Sequence, residues 1–451
     1  MTTRRALMRY VALPAGVALA ACGGEQQAAP PPAESGPLTM RLTTTWTSKT
    51  RGELMEGLLT QFQQEHPRIK VERQVIATSD DVSYSDAVFV QLTTDSAADV
   101  IQGDPQSIVQ WQAKGAPFLD ITSRVRQDKS IRLDDFFPPR GVAWEQNGKL
   151  YGLPFQQSSG TTYGYCVTQF DTLNLPHPQK HANRPGGWWD WTDFQAALQA
   201  IKRDTDRDGT ADVWGAYVRN SYQAWWGRFV ESNGGAGLNG QRTKTTLDTP
   251  QAIEGFEFIV DLVQRYRVAL WQETLPAFRE VVGDPFGKGL IGVSQSVDIQ
   301  GAISINEKGV STWALAHIPT APRTGKSVPA INNEPQMVYG KSKAPDAAFE
   351  WIKFCATQAV QLQLAQTPGA GVIPALKSVA KSDGWLSQYP DMKKVVIEAS
   401  ERAVSLPFHA QYQRWQEAIQ GAAARAFRGE VSAREAMLEA TREGDIALAS
   451  R

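Results

Sequence analysis

The chain becomes periodic at Leu38, where Leu38, Met40 and Leu42 alternate with polar residues as the two faces of a strand do, before the turn-like Thr44-Thr45-Trp46-Thr47-Ser48. Leu54, Leu58 and Phe62 then recur at the spacing of one helix face, and His66-Pro67 ends that run. Ile69, Val71 and Val75 alternate again. The opening is therefore β-α-β, which predicts parallel strands joined by a right-handed crossover. Asp99-Val100-Ile101 before Gly103-Asp104-Pro105 predicts a third strand whose carboxyl end opens on a loop, the position where open α/β sheets take ligands. Trp191-Thr192-Asp193 opens a helix with Phe194, Ala197, Leu198 and Ile201 on one face. Thr249 reads as an N-cap, with Pro250 at the first helical position and Ile253, Phe256, Val260 and Val263 on one face. Tyr151-Gly152-Leu153-Pro154 reads as an extended stretch with glycine permitting a tight turn; residues 161–167 and 290–293 read as strands.

The segment before Leu38 has another character. Arg4, Arg5 and Arg9 precede an apolar run over residues 10–21, too short to cross a bilayer of about 30 Å as a helix, and small residues lead to Cys22. This is the pattern of a lipoprotein export signal, with 1–21 removed and Cys22 lipidated; Thr3-Arg4-Arg5-Ala6-Leu7-Met8 also resembles a twin-arginine motif. Residues 22–37, rich in Pro, Gly, Ala and Gln, cannot bury enough apolar surface to offset their ordering entropy and read as a flexible tether.

Loss of the three signal arginines leaves 43 basic against 47 acidic side chains, a net charge of −4, which argues against binding to a nucleic-acid backbone. A hydrophobic share of 42% marks an ordinary globular composition. Only Cys166 and Cys355 remain besides Cys22, too few for a disulfide scaffold or a multi-cysteine metal site, and both read as buried small hydrophobes. His177 and His181 are four apart, but Pro178 intervenes, so a helical metal pair is disfavoured. Asp204, Asp206, Asp208 and Asp212, with Gly209 at the sixth loop position, follow the ligand spacing of a calcium loop; Gly215 stands where an EF-hand needs Glu, so an isolated structural Ca2+ loop is the metal reading and no cofactor is required.

Phe62-Gln63-Gln64-Glu65-His66-Pro67, Asp99-Val100-Ile101-Gln102-Gly103-Asp104, Lys149-Leu150-Tyr151-Gly152-Leu153-Pro154, Trp191-Thr192-Asp193-Phe194, Thr249-Pro250-Gln251-Ala252-Ile253, Phe286-Gly287-Lys288-Gly289 and residues 344–352 occur in one order. Together they resemble the extracellular solute-binding proteins of ABC importers, in the maltose-binding-protein-like branch. The resemblance implies an α/β, two-lobed periplasmic-binding-protein fold of class II type, with lobes discontinuous in sequence and joined by crossover hinge strands. It places one lobe at 38–155 plus 328–354 and the other at 156–327 plus 355–451. It further implies a monomer, held at the outer face of the cytoplasmic membrane only by its lipid, that closes on a solute and delivers it to the permease subunits without covalent chemistry.

A sugar is the expected solute, because a pyranose offers apolar C–H faces to aromatic rings and hydroxyls to polar groups at its edge. The chain's 14 tryptophans supply Trp46, just past the first strand, and Trp225 and Trp226 as stacking candidates, with Tyr412 a further one. Asp104, Gln156, Gln157, Asp298, Asn333 and Glu334 are the polar candidates. The resembled family often carries a glycine-rich crossover where Asn332-Asn333-Glu334 stands, and a carboxylate there either selects a solute with an amine or pairs with a neighbouring base. The alternatives are a binding protein for a polyamine or peptide, and a surface carbohydrate-active enzyme using paired acids. Neither Gly-x-Ser-x-Gly nor His-Glu-x-x-His occurs.

Overall fold

The computed structural model describes residues 38–76, 81–137, 144–146, 148–157, 162–331 and 333–450, without the side chains of residues 81–83 and 185. The expected export signal, Cys22 and the tether lie outside them. Two five-stranded sheets organise these residues. The first has the order Ile69–Gln74, Leu38–Thr43, Val100–Gln102, Asn333–Val338, Gly152–Gln157. Its first three strands pair in parallel, as the β-α-β reading requires, and Asn333–Val338 runs antiparallel between its two neighbours. The second has the order Trp313–Ala316, Tyr163–Cys166, Ile291–Ser294, Trp214–Val218, Ala269–Trp271. Its pairing is antiparallel around Tyr163–Cys166 and parallel beyond Ile291–Ser294. The chain thus leaves the first sheet at Gln157, builds the second, and returns at Asn333 beside a short parallel pair between Ala330–Ile331 and Val404–Ser405.

Sequence periodicity accounts for most of this packing. Met40 and Leu42 are buried, and helix Lys49–Glu65 buries Leu54, Met55, Leu58, Leu59 and Phe62. Phe62 meets Trp351 and Phe354 of helix Pro345–Cys355 at ring-centroid distances of 5.2 and 5.4 Å. Burial of such a ring contributes up to about 3 kcal/mol. Val75, at 56% exposure, falls beyond the second strand, which ends at Gln74. Helix Trp191–Ile201 buries the predicted face, but Asp190 is its cap: the Thr192 and Asp193 backbone N–H groups donate to the Asp190 carboxylate, and Asp193 accepts from the Asp190 N–H. Thr249 occupies the N-cap position of helix Pro250–Gln264 without capping it through its side chain; its hydroxyl donates to the Thr246 carbonyl instead.

Gly152 corrects one sequence expectation. It opens the strand Gly152–Gln157 rather than a turn, and a Cβ there would collide with the Gln336 carbonyl and the Met337 sulfur of the adjacent strand. Glycine is present because two backbones approach closely, not because the chain bends. Cys166 and Cys355 are free and buried, and burial pushes the Cys166 thiol up to about 11 and the Cys355 thiol up as well. Among the described residues no helix is long and apolar enough to cross a membrane.

Candidate functional site

A cavity of about 540 Å³ opens where elements of the two sheets meet. Gln156, Gln157 and Glu334 reach it from the first sheet, Arg51 from helix Lys49–Glu65, and Asp298, Gln300, Gly301 and Ser304 from the start of helix Ile299–Lys308, which follows a strand of the second sheet. Residues 369–371 close one side. Four of the residues expected from the sequence, Gln156, Gln157, Asp298 and Glu334, are therefore brought together, although up to 178 positions separate them.

Each is held by identifiable contacts. Gln156 and Glu334 face one another across the strand pair, and the Gln156 Nε2 donates to a Glu334 carboxylate oxygen. Gln157 donates from Nε2 to the Pro374 carbonyl at 2.8 Å and accepts from the Ser400 hydroxyl at 3.0 Å, so its amide ties the strand to the loop at 373–374 and to helix Pro390–Arg402. Asp298 caps helix Ile299–Lys308 by accepting from the Gly301 N–H at 2.8 Å. Arg51 donates from Nε to the Ala370 carbonyl at 2.8 Å, and its guanidinium lies 5.5 Å from the centroid of the Trp46 ring. Among the described residues the cavity is lined by one cation, two acids, amides and a hydroxyl, with no aromatic ring in its wall.

The structure puts the other candidates elsewhere. Trp46, Trp225, Trp226 and Tyr412 are enclosed rather than spread on an open wall. Trp46 packs 4.9 Å from Phe155, and Trp225 stacks on Tyr163 at 4.5 Å. Trp226 meets Tyr222 and Phe256 edge-on and donates to the Asn220 side chain at 3.1 Å. Tyr412 lies against Phe408 and Trp415. These mutual contacts remove the rings from water. Asn333 is buried and donates to the Phe137 carbonyl at 3.2 Å. Asp104 caps helix Pro105–Ala113, accepting from the Ser107 N–H at 3.0 Å and the Ser107 hydroxyl at 2.5 Å, so its carboxylate serves the loop cap.

Two groups escaped the sequence reading. Residues 367–371, Thr-Pro-Gly-Ala-Gly, carry the punctuation of a loop, and Gly369 and Gly371 adopt left-handed φ of 75° and 64° beside the cavity. Gln102 and Gln336 are register partners from adjacent strands, both buried. Gln102 accepts from the Thr44 hydroxyl at 2.7 Å, yet its Nε2, both amide atoms of Gln336 and the Gln156 Oε1 find no protein partner among the described residues. Unpaired buried amides are costly, so such groups normally bind water or a ligand. The available signal for Gln336 was a polar residue directly before the apolar Met337-Val338.

In the acidic loop, oxygens of Asp204, Asp206 and Asp208 converge within 4.8 Å of one another at the surface. Asp212 does not join them: it accepts from the Thr205 N–H and hydroxyl at 2.6 and 2.5 Å, bonds that hold its carboxyl below the usual carboxylate range. His177 and His181 pair with different acids, Asp171 and Asp193.

A sequence profile of the bacterial extracellular solute-binding protein family matches residues 57–394. An uncharacterised ABC transporter extracellular-binding protein of Pyrococcus horikoshii is 25% identical over 167 residues, 37% of this chain, so the chain spans about a third (35%) of the length of that curated relative. The fold is similar to that of the sugar-binding protein MalE of Xanthomonas citri (TM-score 0.74, 18% identity, 91% of this chain and 97% of that one). It is also similar to the cyclic alpha-maltosyl-1,6-maltose binding protein of Arthrobacter globiformis (TM-score 0.73, 19% identity, 92% and 99%). A third likeness is to an ABC substrate-binding protein of Listeria monocytogenes in complex with cycloalternan (TM-score 0.72, 19% identity, 92% and 99%). The two sheets are the hearts of the two lobes of that architecture, and the chain is a member of the bacterial extracellular solute-binding protein family.

Proposed function

We propose that the protein is the exported solute-binding component of an ABC importer, that it captures a sugar or oligosaccharide in the cavity between its lobes, and that the closed form delivers it to the permease. The observation that carries this reading is the polar cavity between elements of the two sheets, in which amides, a hydroxyl, Arg51 and two carboxylates converge. Hydroxyl-rich solutes need both donors and acceptors placed around them, which this set supplies. Relatives of the same fold are named for sugars, which favours that class. The lobes are 38–155 plus 328–354 and 156–327 plus 355–451, with Cys22 lipid-anchored behind the tether and the protein monomeric. Contacts shared between lobes make the solute bind the closed form more tightly, and that difference alone shifts the population toward closure.

Asp298 and Glu334 at the cavity favour a second reading, a solute carrying an amine, such as a polyamine or a peptide. Calorimetry against mono- and oligosaccharides, polyamines and short peptides, with chromatography of the sugar mixtures afterwards, tests all of these. Tight sugar binding without product supports the proposal, binding of amines alone replaces it with the second reading, and appearance of hydrolysis products would make the protein an enzyme. The acidic loop supplies carboxylate donors for a structural calcium ion away from this cavity.

A further inference from the structure

A second cavity, of about 590 Å³, lies directly beside the first. Gln300, Ser304, Gly369 and Gly371 line both, so the two are continuous around the start of helix Ile299–Lys308 and the loop at 367–373. The glycines keep that connection open. A Cβ on Gly371 would stand 3.7 Å from the Gln300 side chain, so any longer group would project into the junction, and the left-handed φ of both glycines disfavours a side chain in the first place.

The outer cavity differs in chemistry from the inner one. Ile299, Ile303 and Val372 line it with apolar groups, and Gln366, Gln388, Glu307 and Lys393 add polar ones. Tyr389 adds a partly exposed ring at the entry to helix Pro390–Arg402, in a left-handed conformation with φ of 51° that a tyrosine adopts only at a cost. Apolar groups, one accessible aromatic ring and amides match the C–H faces and edge hydroxyls of a pyranose. Each cavity by itself has the volume of a small-molecule site.

We infer that the two cavities form one bipartite site and that the solute is an extended oligosaccharide, its first unit held by the polar inner cavity and its following units lying in the outer cavity against Tyr389. This deepens the proposed function and rests on it. The inner cavity selects by hydrogen bonding and the outer one contributes affinity through contact area, so affinity rises with chain length until the outer cavity is filled.

The test is calorimetry of the full chain with mono-, di-, tri- and tetrasaccharides of the gluco-, manno-, galacto- and xylo-series, repeated on Tyr389→Asn, Gln388→Ala and Gly371→Asn. Asparagine is used at 389 and 371 because it tolerates left-handed backbone. The expected result is affinity increasing at least tenfold from mono- to tetrasaccharide in one series, with Tyr389→Asn weakening the tetrasaccharide about tenfold more than the monosaccharide. Gly371→Asn flattens the length dependence by filling the junction. If Tyr389→Asn fails to fold, the exposed Gln388→Ala carries the same comparison. A monosaccharide bound as tightly as its oligomers, or a length dependence untouched by these variants, would overturn the bipartite site while leaving sugar binding intact. Silence from every saccharide would overturn both.

Discussion

Replacing Trp225 by alanine separates a core aromatic from a sugar-stacking one. The indole is 1% exposed, stacks on Tyr163 with 27° between planes, and stands 6.2 Å from Phe229. Its Nε1 has no hydrogen-bond partner among the described residues, so truncation removes packing rather than a hydrogen bond. Deleting a buried tryptophan costs about 3–5 kcal/mol. With an unfolding entropy of about 2.1 cal/mol/K per residue, a cooperative unit of roughly 400 residues loses about 4–6 °C in Tm, and about twice that if the lobe melts alone. Differential scanning calorimetry of the solute-free protein measures the shift, with Trp225→Phe as the milder control. A Tm within about 1 °C of wild type would show that the ring contributes nothing to the core and would return Trp225 to the role of a stacking platform.

Acid should destabilise the fold through His317. Its Nε2 lies 2.8 Å from Glu398, Arg402 donates to its Nδ1 at 3.0 Å, and burial first of all depresses its pKa, while the hydrogen bond from His317 depresses that of Glu398. Both folded-state values lie below the unfolded ones, so the unfolded chain binds more protons as pH falls; the histidine's stabilisation is complete above about pH 6.5 and lost below it, and the carboxylate's follows below about 4.5. Burial of His409, held down to about 4, adds to the loss in the same direction. Melting curves from pH 7.5 to 4.5 should show Tm falling, and a Tm that rises on acidification contradicts this. For the acidic loop, calcium should raise Tm by a few degrees reversibly with chelator, and Asp208→Asn should abolish the rise; an equal rise in the variant would place calcium elsewhere.

Local pattern carried the fold a long way. The alternation at Leu38, Met40 and Leu42 and the helical spacing of Leu54, Leu58 and Phe62 are properties of neighbouring residues, and the strands, the first helix and their parallel pairing follow from them. That Gln156 and Asp298 would lie at a cavity was legible from their places at and beyond apolar strand segments, Gln156 near the end of Gly152–Gln157 and Asp298 four residues past Ile291–Ser294. Burial of the tryptophans was not legible. Trp225 and Trp226 look alike in sequence, and which ring packs against Tyr163 and which against Phe256 depends on partners tens of residues away.

The sequence by itself determined which segments become strands and helices, since a period of two or of 3.6 needs only adjacent residues to express it. Tertiary structure alone decided that Gln102 meets Gln336, that Gly152 must lack a side chain, and that Arg51 reaches the loop at Ala370. Those outcomes depend on pairing between strands and loops as many as 319 positions apart, and no local period encodes which distant backbone will arrive alongside.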